Sequence, residues 1–153
     1  MNKLLLSLHV LAALVTVGPV TVAASMFPAA LRRAPGDQDA LTTLRTLHRV
    51  CRVYAGIGVA VPLFGLATAG GLGVLGDAWL IVSILLTAAA AGVLGLLILP
   101  AQERALAGTE GDVPPDRLLW EPGRFAMVTG VFNLLWAAVT VLMIIRPGST
   151  TGV

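Results

Sequence analysis

Residues 4–31, LLLSLHVLAALVTVGPVTVAASMFPAAL, contain no Asp, Glu, Lys or Arg. About 20 apolar residues are enough for a helix to cross the hydrocarbon core of a bilayer, so a charge-free run of this length is a membrane span. Inside hydrocarbon each backbone N–H and C=O needs a partner within the segment, which makes such a span helical. Residues 78–99 and 125–145 are further charge-free runs, and a fourth span over 41–69 is charge-free from Val53 onward. The chain therefore reads as a single integral membrane domain over residues 1–153, all-α, a four-helix transmembrane bundle running up-down-up-down. Composition agrees: 12% of residues are charged, against about 25% in a soluble domain.

The N-terminus imitates a secretory signal, with Lys3, an apolar stretch, then the small residues Val22-Ala23-Ala24-Ser25. Signal cores run about 7–15 residues, whereas this one continues past Ala24. It is read as a retained helix.

Pro35-Gly36 breaks the first helix, and Asp37 and Asp39 offer N-caps for a second beginning near Ala40. That helix starts amphipathic: Arg45, Arg49 and Arg52 share one side, while Leu41, Leu44, Leu47 and Val50 supply apolar surface. From Val53 it is apolar to Ala69, with Pro62 inside it and Gly70-Gly71 closing it. Gly71, Gly73 and Gly76 have the spacing of a dinucleotide-binding fingerprint. That motif works between a strand and a helix facing a pyrophosphate, and here it joins two lipid-type helices, so it reads as a turn. Asp77 is expected to cap the third span and Pro100 to close it. In the following polar stretch, 101–124, Asp116 is a candidate cap for a short surface helix with Trp120 at the interface. Arg146-Pro147-Gly148 ends the fourth span.

Orientation follows from the arginines. Arg32, Arg33, Arg45, Arg49 and Arg52 gather at the first loop and the base of the second helix; Arg104, Arg117 and Arg124 gather in the last loop. Lys3 and Arg146 alone lie at the other side. The positive-inside rule then makes 101–124 a cytoplasmic loop and puts both termini of this multi-pass chain outside. The sequence pI near 9.3 is thus a topology signal and not a nucleic-acid footprint. Arg45, Arg49 and Arg52 lie where lipid headgroups are expected, each gaining about 1 kcal/mol from anionic lipid.

Each span carries a stripe suited to packing. In the first it is His9, Ala13, Thr16, Val20 and Ala23; in the second His48, Cys51, Ala55, Gly58, Pro62, Gly65 and Ala69. The third has the small residues Ala88, Gly92 and Gly95, and the fourth a polar row, Thr129, Asn133, Trp136, Thr140 and Met143. Small residues let membrane helices approach closely, and Thr129, Asn133 and Thr140 are expected to form a polar bundle interior by bonding to neighbours or their own backbone.

Two histidines stand out in a chain with so few ionisable groups. His9 lies about 8 Å in from the end of the first helix. Near a helix N-terminus and away from water the neutral imidazole is favoured, and that is the form that ligates metals and haem iron. In a closed bundle the first and fourth helices are neighbours, so a His9–Met143 axial pair is one arrangement. A single His9 ligand is a second, and a hydrogen-bonded structural histidine a third. His48, among arginines at the opposite end, is placed at the headgroups and cannot share an iron with His9. Cys51, the single cysteine, forms no disulfide within the chain and reads as a small core residue. No acidic or basic residue lies deep within a span, and there is no HExxH or GxSxG, so an autonomous pump, protease or hydrolase is not expected.

Leu8-His9-Val10-Leu11-Ala12, Val17-Gly18 and Phe27-Pro28 resemble the first helix of a group of small four-helix bacterial membrane proteins. The group includes predicted integral membrane proteins of unknown function and, more distantly, the copper-resistance D-type membrane domain and the oxygen-independent membrane protoporphyrinogen oxidase. Asn133-Leu134-Leu135-Trp136, Leu142-Met143 and Arg146-Pro147-Gly148 resemble the end of the unknown-function family, and the layout matches over nearly the whole chain. The resemblance implies haem b at His9. It departs from the oxidases in one respect: they use a lysine within a later span, and the only lysine here is Lys3. The leading reading is an accessory or structural membrane subunit, partnered by the bilayer, anionic lipid, and other membrane subunits or a second copy, with no nucleic acid and no cofactor required. The alternative is a small b-type haem redox protein.

The arginine distribution predicts that a reporter fused after Val153 is extracytoplasmic and one inserted at Gly111 is cytoplasmic. The reverse pattern would overturn this topology.

Overall fold

The computed structural model describes residues 2–109 and 121–148; the surface helix expected at Asp116 and Trp120 lies outside them. The described residues are helical: α1 (Asn2–Arg33), α2 (Gln38–Ile57), α3 (Ala60–Leu72), α4 (Ala78–Gly92), a π-helical stretch (Val93–Ile98), α5 (Leu99–Thr109) and α6 (Pro122–Ile145). They combine into four helices long and apolar enough to span a bilayer: Lys3–Arg33, Gln38–Leu72, Ala78–Thr109 and Pro122–Ile145.

α1 continues through Pro19 and Pro28. Its stripe is where the spacing puts it: His9, Thr16, Val20, Ala23, Phe27 and Ala30 are buried, while Leu11, Leu14 and Val15 face outward. α1 packs on α2, α3 and α6; α6 packs on α4 and the π stretch, and α2 on α5. The main core joins Val20, Ala24 and Phe27 of α1 to Leu44 and Cys51 of α2, Ala90, Leu94 and Ile98 of the third span, and Phe125 and Phe132 of α6. Phe27 and Phe125 meet with ring centroids 5.2 Å apart.

Asp37 caps α2 as expected, its carboxylate accepting from the Asp39 and Ala40 amides at 2.9 and 3.2 Å. The expectation of one helix over 41–69 needs correction. α2 stops at Gly58, and α3 restarts at Ala60. Pro62 has no N–H for the carbonyl of Gly58, and in a continuous helix its ring would strike that carbonyl. The break instead puts Pro62 in the first turn of a new helix, where no donor is needed. The Gly58 carbonyl accepts from Val61 N–H at 3.0 Å. Gly58 serves this turn: an added Cβ would stand 3.1 Å from the Tyr54 carbonyl oxygen, in its own helix.

α3 ends one turn later than expected, at Gly73, whose φ of 70° is left-handed. Val74 N–H returns to the Ala69 carbonyl at 3.2 Å and Gly73 N–H to Gly70 at 3.3 Å, a paired closure that satisfies the last carbonyls. The glycine spacing at 71, 73 and 76 belongs to this turn. Asp77 sits at the N-cap position of α4 but makes no side-chain cap. Its carboxylate accepts from Trp79 Nε1 at 3.0 Å. The Arg146 guanidinium, just past the end of α6, lies 5.7 Å from a Trp79 ring centroid.

Pro100 does not close the third span. The helix widens over Val93–Ile98, with Leu99 N–H reaching the Leu94 carbonyl, and runs on to Thr109. A π turn supplies room where a proline ring would collide with the carbonyl four residues back. Ala90, Leu94, Ile98, Ala101, Gln102 and Ala105 are buried. Ala88 and Gly95 are exposed, and a Cβ added at Gly92 or Gly95 would meet nothing within 4 Å. The small-residue face expected on this helix therefore does not pack against another described helix of this chain.

Candidate functional site

Polar groups inside the spans are few, and most are absorbed locally. The hydroxyls of Thr16, Thr68, Ser83 and Thr87 each donate to the carbonyl four residues back in their own helix. What remains is a short set of groups reaching between helices.

His9 is 9% exposed. Its Nδ1 lies 2.8 Å from the Val61 carbonyl oxygen of α3. A carbonyl only accepts, so Nδ1 carries the proton, and the lone pair of a neutral ring is on Nε2. The ring lies flush against Gly65: a Cβ there would come within 2.9 Å of Cε1 and 3.1 Å of Nδ1. Gly65 thus has a specific task, clearing the space in which the His9 ring reaches the α3 backbone. The Met143 side chain packs beside the cluster of Ala69, Val74, Trp79 and Leu80.

α6 carries its polar row unevenly. Thr129 is buried, and Asn133 donates from Nδ2 to Ser25 Oγ of α1 at 3.3 Å. Thr129 Oγ1, Asn133 Oδ1 and Trp136 Nε1 are sealed from solvent without a hydrogen-bond partner. Thr140 is exposed, its hydroxyl turned back to the Trp136 carbonyl at 2.9 Å.

The densest polar constellation lies between α2 and α5. His48 Nδ1 donates to Gln102 Oε1 at 3.1 Å, and Gln102 Nε2 points to Cys51 Sγ at 3.7 Å. Gln102 and Cys51 are both fully buried. His48 is therefore turned inward from the headgroup position expected of it, its side chain 12% exposed, with Nε2 3.7 Å from Glu103. Glu103 also lies 3.9 Å from Arg52. Beside this triad runs an open groove lined by Arg45, Thr46, His48, Arg49, Arg52, Val53 and Leu106. The three arginines are exposed on the outer side of α2, opposite its buried Leu44, Leu47 and Cys51, as the amphipathic pattern requires.

Gln102 is the residue that sequence reasoning missed. Taking Pro100 as a helix end assigned it to a loop, although Ile98, Ala101 and Ala105 around it have the spacing of an inward helical face. Among the described residues no three His, Cys, Asp or Glu side chains converge as a metal site.

The model of the family described as "Predicted integral membrane protein (DUF2269)" matches residues 3–147, nearly the whole chain, and the chain belongs to that family. No curated protein and no solved structure matches it.

The tight seat of His9 generates a mutational expectation. Gly65→Val forces the ring off the Val61 carbonyl and should cost about 1–3 kcal/mol of stability, seen as a lower unfolding midpoint in detergent. Gly95→Ala, with open space around it, should leave the midpoint unchanged or slightly raised. Equal responses would contradict this packing.

Proposed function

We propose that this member of the DUF2269 family is a non-enzymatic membrane component, an accessory or structural subunit held at its arginine-bearing face by anionic lipid. The observation that carries the proposal is the groove beside α2, where Arg45, Arg49 and Arg52 stand together on the exposed side of a helix whose opposite side is core. Positive charge at the point where a span leaves hydrocarbon is complementary to anionic headgroups. The rest of the chain supports a structural role. His9 and His48 both spend a ring nitrogen on another helix, and the apolar exterior offers long faces to lipid or to neighbouring subunits.

A second reading, a small haem protein with His9 as iron ligand, is favoured by one observation. Nδ1–H is held by a backbone carbonyl, the usual arrangement of a ligating histidine, and Nε2 is left as the donor atom. His9 would hold the iron by resemblance to the helix-one histidine of the membrane protoporphyrinogen oxidases. Met143, packed against the Trp79 cluster, would be the second axial ligand of that reading.

Two measurements separate the readings. Phosphatidylglycerol added to phosphatidylcholine should raise the unfolding midpoint of the parent and not of an Arg45→Gln/Arg49→Gln/Arg52→Gln variant, each arginine accounting for about 1 kcal/mol. Equal response of parent and variant would sink the lipid proposal. A Soret band in protein expressed with added haem, lost in His9→Ala, would establish the second reading; colourless protein would end it.

A further inference from the structure

We propose that the α2–α5 groove is a headgroup site selective for anionic lipids whose phosphodiester carries a polyol, of the phosphatidylglycerol type, over both phosphatidic acid and zwitterionic lipids. The proposal rests on the lipid reading above and adds the chemistry of the headgroup.

The groove does not offer positive charge alone. Arg45, Arg49 and Arg52 present guanidinium donors suited to phosphate oxygens. Between and beside them stand acceptors. Glu103 lies 3.7 Å from His48 Nε2 and 3.9 Å from Arg52, both outside hydrogen-bonding distance, so these contacts leave its oxygens able to accept hydroxyl protons. His48 contributes a further acceptor. Its Nδ1–H is committed to Gln102, whose amide is in turn oriented toward Cys51, so a neutral His48 ring turns the Nε2 lone pair toward Glu103. The two buried partners fix that orientation, and Gln102 is fully enclosed.

Arginines beside a carboxylate and an imidazole lone pair recognise a group that is both anion and hydroxyl donor. A phosphodiester satisfies the guanidiniums, and the hydroxyls of a glycerol headgroup donate to Glu103 and His48. Phosphatidic acid brings more negative charge toward Glu103 and has no hydroxyl donors on a polyol. Phosphatidylethanolamine offers its ammonium to the acceptors but brings no net negative charge to three arginines, and phosphatidylcholine has no donor for the acceptors. At one end the groove is walled by Val53, half exposed, where the sequence of the span turns fully apolar. That gradient from arginines to an apolar wall suits an amphiphile and not a soluble phosphate.

The test is native mass spectrometry of the detergent-solubilised full chain offered equal amounts of phosphatidylglycerol, phosphatidic acid, phosphatidylethanolamine and phosphatidylcholine. Phosphatidylglycerol should be retained about fivefold over phosphatidic acid, the effect of one or two hydrogen bonds to a charged acceptor, and more strongly over the other two. Glu103→Gln, at an exposed position, should remove the preference over phosphatidic acid while anionic lipid is still retained. Arg49→Gln/Arg52→Gln should lose both anionic lipids. Parent protein that retains phosphatidic acid as well as phosphatidylglycerol overturns the polyol selectivity and leaves the lipid reading standing. An arginine variant that retains both lipids like the parent overturns the lipid reading itself. Full displacement of the lipid by millimolar glycerol phosphate would show a site for soluble phosphate and also overturn the proposal.

Discussion

The hydrogen-bond requirement of hydrocarbon governs this structure. A polar atom in a span has no water to turn to, and leaving it unpaired costs several kcal/mol. The chain meets that constraint in two ways for most of its polar groups, while Thr129 Oγ1, Asn133 Oδ1 and Trp136 Nε1 of α6 stay unpaired. Its hydroxyls fold back onto their own helices, as Thr16 does to Ala12 and Ser83 to Trp79, which satisfies them without fixing anything between helices. The groups that reach across are those that set the arrangement: His9 to the α3 backbone, His48 through Gln102 to Cys51, and Asn133 to Ser25. Burial of apolar surface cannot perform this task among lipid tails, so shape at Gly65 and polar ties of this kind take its place.

The two histidine ties depend on irregularities in the helices they join. Val61 belongs to a helix restarted after Gly58, a break that puts Pro62 in the new first turn, where no donor is needed. Gln102 reaches His48 because the π turn ahead of Pro100 carries the third span past the proline and aims its next residues inward. In both cases a proline in an apolar run produces a local departure from α-helix, and a polar contact lies within one turn of it. Backbone irregularity and cross-helix tie thus arise from the same residues.

Much of the fold was legible in the sequence, for physical reasons that also mark where legibility stopped. Charge-free length revealed the spans, and the spacing of His9, Thr16, Val20 and Ala23 revealed the inner face of α1 because that helix keeps one period throughout. The amphipathic start of α2 likewise placed Leu44 and Leu47 inside and the arginines outside. On the third span the inner face was read from the small residues Ala88, Gly92 and Gly95, whereas the buried side is that of Ser83, Ala90, Leu94, Ile98, Ala101 and Ala105. Proline was read twice with the wrong consequence: Pro62 as a passenger in a helix it divides, and Pro100 as a stop in a helix that passes it. Both outcomes rest on local rearrangement of the bonds, Val61 N–H to the Gly58 carbonyl and Leu99 N–H to the Leu94 carbonyl. The site followed the same division. His9 and the arginines were visible as residue types in unusual places, whereas Gln102 and the turn of His48 toward it required the three-dimensional course of α5.

The central claim is that His9 and His48 are ties between helices, each donating through Nδ1. Long-range ¹H–¹⁵N correlation spectra of histidine-labelled protein in nanodiscs at neutral pH report the tautomer of each ring directly. The account predicts that both rings carry a proton on Nδ1. A ring protonated on Nε2 with a bare Nδ1, at His9 above all, would contradict it.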